Sequence, residues 1–178
     1  MNISNRVLWI TRTGIMIALL IVSQAVTAPM GNQFITGSLV NLMLFVSTMM
    51  FGLPSGLAVA IISPFFASLF GIGPAFPIII PFIGLGNAAL VVVWHFIANN
   101  RDNIVYRVIG VIAGAVAKFA VLYVGIVMVV APLILELPPQ APIYVMFSFP
   151  QLITALIGGA IALVIYPILK KAVGEKRD

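Results

Sequence analysis

The sequence predicts an all-α membrane bundle of six transmembrane helices, with the N- and C-termini cytoplasmic. Three observations predict it. Of the 178 residues, 62% are hydrophobic and only 7% charged, where soluble domains carry roughly 25% charged residues. The apolar residues form six continuous runs and do not alternate, which argues against a β-barrel. The basic residues gather at the ends of alternate runs, as the positive-inside rule requires. One membrane domain fills residues 1–178.

The runs lie at about 7–28, 36–52, 54–71, 77–98, 105–135 and 144–169. A helix needs about 20 residues to cross a bilayer, so spans two and three are short. Between them Phe51-Gly52-Leu53-Pro54-Ser55-Gly56 reads as a tight turn, with Pro54 in the first turn of the next helix. A helical hairpin is expected there, and a re-entrant pair is the alternative. No internal repeat is visible.

Loop charges set the orientation. Arg6 and Arg12 begin span one, Arg101 and Arg107 flank the fourth connection, and Lys170, Lys171, Lys176 and Arg177 follow span six. The connections 28–35, 71–76 and 135–142 hold no Lys or Arg, and the last holds Glu136. Six spans with both ends inside put every basic loop residue in the cytoplasm. Residues 6–28 also loosely resemble a signal peptide ending at Val26-Thr27-Ala28. Cleavage there would leave five spans and spoil the charge asymmetry.

Composition excludes several chemistries. The net charge of +5 sits at the span ends, which points to a membrane surface and away from nucleic acid. Without cysteine there are no disulfides or zinc–thiolate sites. Four acidic residues leave almost nothing for paired-carboxylate catalysis or a metal site, so no metal and no cofactor are expected.

The informative residues are the polar ones inside the runs. Lys118 is the one charge deep within a span. At mid-bilayer it costs from about 3 to more than 10 kcal/mol unless a partner, a wet cavity or a ligand receives it. Asn41, Asn87 and Gln151 lie at the midplane or in its outer half, Asn32 and Gln33 in the first outer loop, and Tyr123 one turn outward of Lys118. Helical spacing puts Gly114, Lys118 and Gly125 on one stripe, Asn87 and Trp94 on another, and Phe147, Gln151, Gly158 and Ala162 on a third. Amides, aromatics and a cation beside small residues suit a small-molecule pocket.

Plainer readings exist for each. A lone membrane Asn or Gln often only joins helices, Lys118 could snorkel, and Trp94 and His95 suit interfacial anchoring. His95 has no acidic neighbour to make a proton relay. Convergence at one depth favours the pocket. Small residues also recur at four-residue spacing: Gly14 and Ala18 in span one, Gly52, Gly56 and Ala60 across the second turn, and Gly110 and Gly114 in span five. Most would serve internal packing, whereas those of span one could form a groove for a partner helix.

Together these residues resemble the substrate-binding S component of an energy-coupling factor (ECF) transporter. The likeness spans about residues 8–168 and rests on Thr36-Gly37-Ser38-Leu39-Val40-Asn41, Gly52 and Gly56, Ser63-Pro64, and Gly71-Ile72-Gly73-Pro74. It continues through Pro77, Pro81-Phe82-Ile83-Gly84-Leu85-Gly86-Asn87 and Ala117-Lys118-Phe119. The resemblance implies capture of a vitamin-like micronutrient from outside. It also implies a transmembrane coupling (T) subunit and two ATP-binding subunits as partners, in a prokaryotic cell membrane. Gly14 and Ala18 match the family's coupling positions, with Val22 bulkier at the third. The chain itself would not be an enzyme, and it has no phosphate-binding loop.

The expected substrate-binding residues are Lys118, Asn87, Gln151, Asn41, Tyr123, Gln33, Asn32 and Phe147. A lysine with no acidic partner favours an anionic solute, and the amides would give direction. Two rivals stand beside this reading. A stand-alone secondary transporter or channel usually needs buried carboxylates or broken helices. A small membrane enzyme needs acidic metal ligands or a nucleophile with a base, and Glu136 stands alone at the outer edge.

Overall fold

A computed structural model describes residues 3–99, 101 and 103–173. Lys176 and Arg177, used above for orientation, lie outside the described residues. No strand occurs among the described residues. Helix α1 spans Ile3–Thr27, α2 Gln33–Phe51, α3 Leu53–Leu69, α4 Ile80–Ala98, α5 Ile104–Leu122, α6 Pro142–Met146 and α7 Phe149–Ala172. Five helical segments are long and apolar enough to cross a membrane, and α3 is a shorter sixth apolar helix. Its 17 residues reach only about 25 Å at 1.5 Å per residue.

Local chemistry sets the boundaries. Asn32 caps α2, its Oδ1 accepting from the backbone N–H of Phe34 at 2.9 Å and of Ile35 at 3.4 Å. Gly52, at φ 82°, joins α2 to α3 with Pro54 in the first turn of α3. The fifth run is longer than one regular helix. After Leu122 it continues over Tyr123–Ile134 in wider π-type turns that contain Pro132.

The sixth run departs from the expected single helix. It breaks between α6 and α7, where Ser148 leaves helical geometry at φ −97°, ψ −138°. Pro150 follows two residues later and has no N–H to continue a helix through the break. Phe147 therefore stands before α7 and not on its stripe with Gln151.

Packing is between α4 and α5, α2 and α7, and α3 and α4, with α1 laid against α2 and α3. The α2–α7 approach is close. A Cβ on Gly158 would lie 2.6 Å from the Ser38 carbonyl oxygen and 2.7 Å from the Leu42 nitrogen, so only glycine lets the two backbones meet.

Two apolar clusters fill the interior. One includes Phe45, Leu90, Val111, Ala115 and Ala155. The other includes Ile79, Leu122, Ile126 and Phe147, with Ile83 packed against it. Lys118 stands on α5 between Ala115 and Leu122, and Asn87 on α4 between Ile83 and Leu90. A polar layer thus separates two apolar ones. Isoleucines, leucines, valines and phenylalanines cover the outside, among them Leu8, Leu19, Phe65, Ile112 and Val164. That surface suits lipid and not water.

The basic residues meet one end. Arg12 lies over the Phe51 ring at 5.5 Å, joining the start of α1 to the end of α2. Arg107 lies over Tyr166 at 5.2 Å, joining the start of α5 to the end of α7. At the other end are the connections after α1, α3 and α5.

Gly158→Ala is expected to lower unfolding stability in micelles by about 1–3 kcal/mol through overpacking. Gly14→Ala, where a Cβ meets nothing within 4 Å, is expected to leave it unchanged. Equal thermal midpoints for the two variants would contradict the close α2–α7 approach.

Candidate solute cavity in the polar layer

A cavity of about 330 Å³ reaches inward from the end of the bundle that lacks basic residues. Lys118, Asn87, Gln151, Gln33, Asn32 and Phe147 all line it. Six of the eight expected residues, drawn from four separate stretches of chain, therefore surround one space. A smaller chamber of about 90 Å³ adjoins it and shares Asn87, Gln24 and Ile83 with it.

Lys118 is buried at 3% exposure. Its Nζ donates to Asn41 Oδ1 at 2.7 Å. Asn41 is wholly buried and does not line the cavity; it stands behind the ammonium. Its Nδ2 donates to the Gly37 carbonyl at 2.8 Å and to Thr154 Oγ1 at 3.3 Å. Thr154 Oγ1 in turn donates to the Gln151 carbonyl at 3.1 Å. Those contacts require the amide nitrogen on one side and so fix its oxygen toward Lys118. An ammonium has three protons; one goes to Asn41, and no salt bridge to Lys118 occurs among the described residues.

Proline chemistry fixes the other amides. Pro64 cannot donate to the Ala60 carbonyl four residues back. That carbonyl instead lies 3.5 Å from Asn87 Nδ2, which donates to it. The amide nitrogen is thereby committed to α3, and Asn87 Oδ1 has no partner among the described residues. Pro150 likewise offers nothing to the Met146 carbonyl. This oxygen accepts from Gln33 Nε2 at 2.5 Å and Gln151 Nε2 at 3.0 Å. Both glutamines keep their carbonyl oxygens for other use. A buried acceptor without a partner costs about 1–3 kcal/mol, so Asn87 Oδ1 is poised for a donor.

Tyr123 lies away from the cavity. Its ring packs on Phe119 at 5.5 Å, and Phe119 on Phe149 at 5.8 Å, at the bundle surface. Five residues along a helix turn about 140° away from Lys118, whereas four residues bring Leu122 above it. Leu122 lines the cavity, and that spacing could have identified it. Trp94 packs against Gly110, whose Cβ would lie 3.1 Å from the indole Cδ1. His95 Nε2 lies 3.4 Å from Asn99 Nδ2, far along α4 from Asn87. Gln24 of α1 and Thr36 and Gly37 of α2 also line the cavity. Gln24 carries the same signal as the other amides, a polar side chain in an apolar run.

On α1 the faces divide cleanly. Thr13, Met16 and Leu20 are buried, and Thr13 Oγ1 lies 2.8 Å from Ser55 Oγ. Gly14, Ala18 and Val22 are exposed on the opposite face.

Apolar helices around an enclosed polar layer define a multi-pass membrane protein with an internal cavity. The family model for the substrate-specific component of ECF transporters matches residues 9–170. The chain belongs to that family, a transporter component and not an enzyme. No curated protein and no solved structure gives a match.

Asn41→Leu strands the Lys118 ammonium and is expected to destabilise the protein by about 2–4 kcal/mol. Adding Lys118→Met should recover much of that loss. Equal destabilisation of the single and double variants in chemical unfolding would show that the two side chains are not coupled.

Proposed function

We propose that this chain captures a small, vitamin-like, anionic micronutrient from outside the cell and hands it to an ATP-driven coupling module. The observation that carries this reading is the buried Lys118, which lines an amide-rich cavity and pairs with no acidic group among the described residues. An anionic oxygen would take the ammonium's remaining protons in charge-assisted hydrogen bonds. Gln33, Asn87 and Gln151 would orient the solute, Asn32 would edge the entrance, and Phe147 and Leu122 would wall it. Asn41 would act through Lys118 by holding its ammonium.

Charge supports the orientation. The clustered Arg12, Arg107 and Lys170 suit a cytoplasmic face, and the cavity then opens outward. Six spans follow, with α3 as the short one and both termini on the cytoplasmic side of a prokaryotic plasma membrane.

The exposed Gly14, Ala18 and Val22 face of α1 would seat a helix of the transmembrane coupling subunit, since small residues let helices approach closely. Two ATP-binding subunits would complete the transporter. A secondary transporter is less well supported: the chain breaks between α6 and α7 beside the cavity, but no carboxylate lies in the described polar layer.

Lys118→Ala is expected to weaken binding of the best anionic solute at least 100-fold in a panel of vitamins and their precursors, read by calorimetry. Unchanged affinity would remove Lys118 from the site. Gly14→Leu should abolish co-purification with the ATP-binding subunits while leaving solute affinity intact. Solute uptake into liposomes by this chain alone, without ATP, would favour the secondary transporter instead.

A further inference from the structure

The cavity has a second chamber whose position constrains the solute's far end. The smaller chamber lies among α1, α3 and α4 and is lined by Leu20, Ser63, Pro64, Ala67 and Ile80. Lys118 lines only the larger chamber, whereas Asn87 and Gln24 line both. Asn87 Oδ1 and Gln24 Oε1 are buried amide oxygens with no hydrogen-bond partner among the described residues. Asn87 is 1% exposed, and its nitrogen is already held by the Ala60 carbonyl. Its acceptor oxygen is the atom left wholly unpaired. Across the cavity from Lys118, toward α1, α3 and α4, a solute meets two amide acceptors and beyond them a small, mostly apolar chamber.

Resting on the solute-capture reading above, we infer that the substrate is two-ended. It carries an anionic oxygen for Lys118 and, toward its other end, an N–H or O–H donor for Asn87. Beyond the donor comes a short apolar group that enters the chamber beside Ala67. A simple inorganic anion or an unsubstituted short-chain acid satisfies only the first contact. A buried acceptor left unpaired by the bound solute discriminates against solutes without a donor.

The test loads purified wild-type protein with yeast extract, washes it and identifies the retained compounds by mass spectrometry. The retained compound is expected to have a carboxylate or phosphate, a donor on a separate part of its skeleton and a short apolar group beyond it. Its N- or O-methylated derivative at that donor should bind at least tenfold more weakly to wild type. Asn87→Leu should erase this preference between the two. Ala67→Leu, which fills the smaller chamber, should shift preference toward analogues with the apolar group trimmed.

Equal wild-type affinity for the methylated derivative, or a retained compound without a donor, would overturn this inference and leave solute capture standing. Retention of no compound at all would overturn the capture reading itself. The wild-type comparison decides the matter even if a variant fails to fold.

Discussion

The hydrogen bond from Lys118 Nζ to Asn41 Oδ1, 2.7 Å long and buried between α5 and α2, is the constraint on which the interior depends. An ammonium in an apolar bundle has to be received by something. Here a neutral amide receives it, and no acidic group among the described residues pairs with it. Two further contacts, to the Gly37 carbonyl and to Thr154, hold that amide in place. The chain of donors therefore runs from α5 through α2 to α7. The close α2–α7 contact at Gly158 brings Thr154 within reach. A carboxylate at position 41 would have neutralised the lysine and left less for an anion to bind. On the proposed reading, this leaves the ammonium available to an anionic solute.

Two prolines build the rest of the layer by subtraction. Pro64 and Pro150 each lack the N–H that would occupy a carbonyl four residues earlier. The released oxygens, on Ala60 and Met146, take the amide nitrogens of Asn87, Gln33 and Gln151. Each side chain is thus anchored by its nitrogen to the protein. A backbone defect that would cost stability in a regular helix instead orients a polar side chain. This is how a cavity in an apolar bundle can hold fixed acceptors without adding charged groups.

Much of this was legible in the sequence. The apolar runs gave the helices to within a few residues, and counting inward from their ends put Lys118, Asn87 and Gln151 at one level. Depth, however, does not give direction. Asn41 shares that level yet turns behind Lys118, because Gly37 lies one turn back on the same helix and its carbonyl is in reach. Distance along the span selects Tyr123, whereas helical rotation selects Leu122. Phe147 reached the cavity by a route that periodicity did not foresee, since the chain breaks at Ser148 before α7 begins. Gln24, on α1, is an amide in an apolar run like the others, and it too supplies part of the wall.

The same helix α1 also links the cavity to the outside of the bundle. One face contributes Leu20 and Gln24 to the chambers, and the other carries the small residues Gly14 and Ala18. On the proposed reading, a solute bound at the junction would touch the helix whose opposite face would seat the coupling partner. The central claim, that Lys118 keeps its charge for an anionic solute, is tested most directly by a structure of the protein with the solute it retains. The account predicts an anionic oxygen of that solute about 2.7–2.9 Å from Lys118 Nζ, with the Asn41 contact preserved. A solute bound elsewhere, or with no anionic oxygen in reach of Lys118, would contradict it.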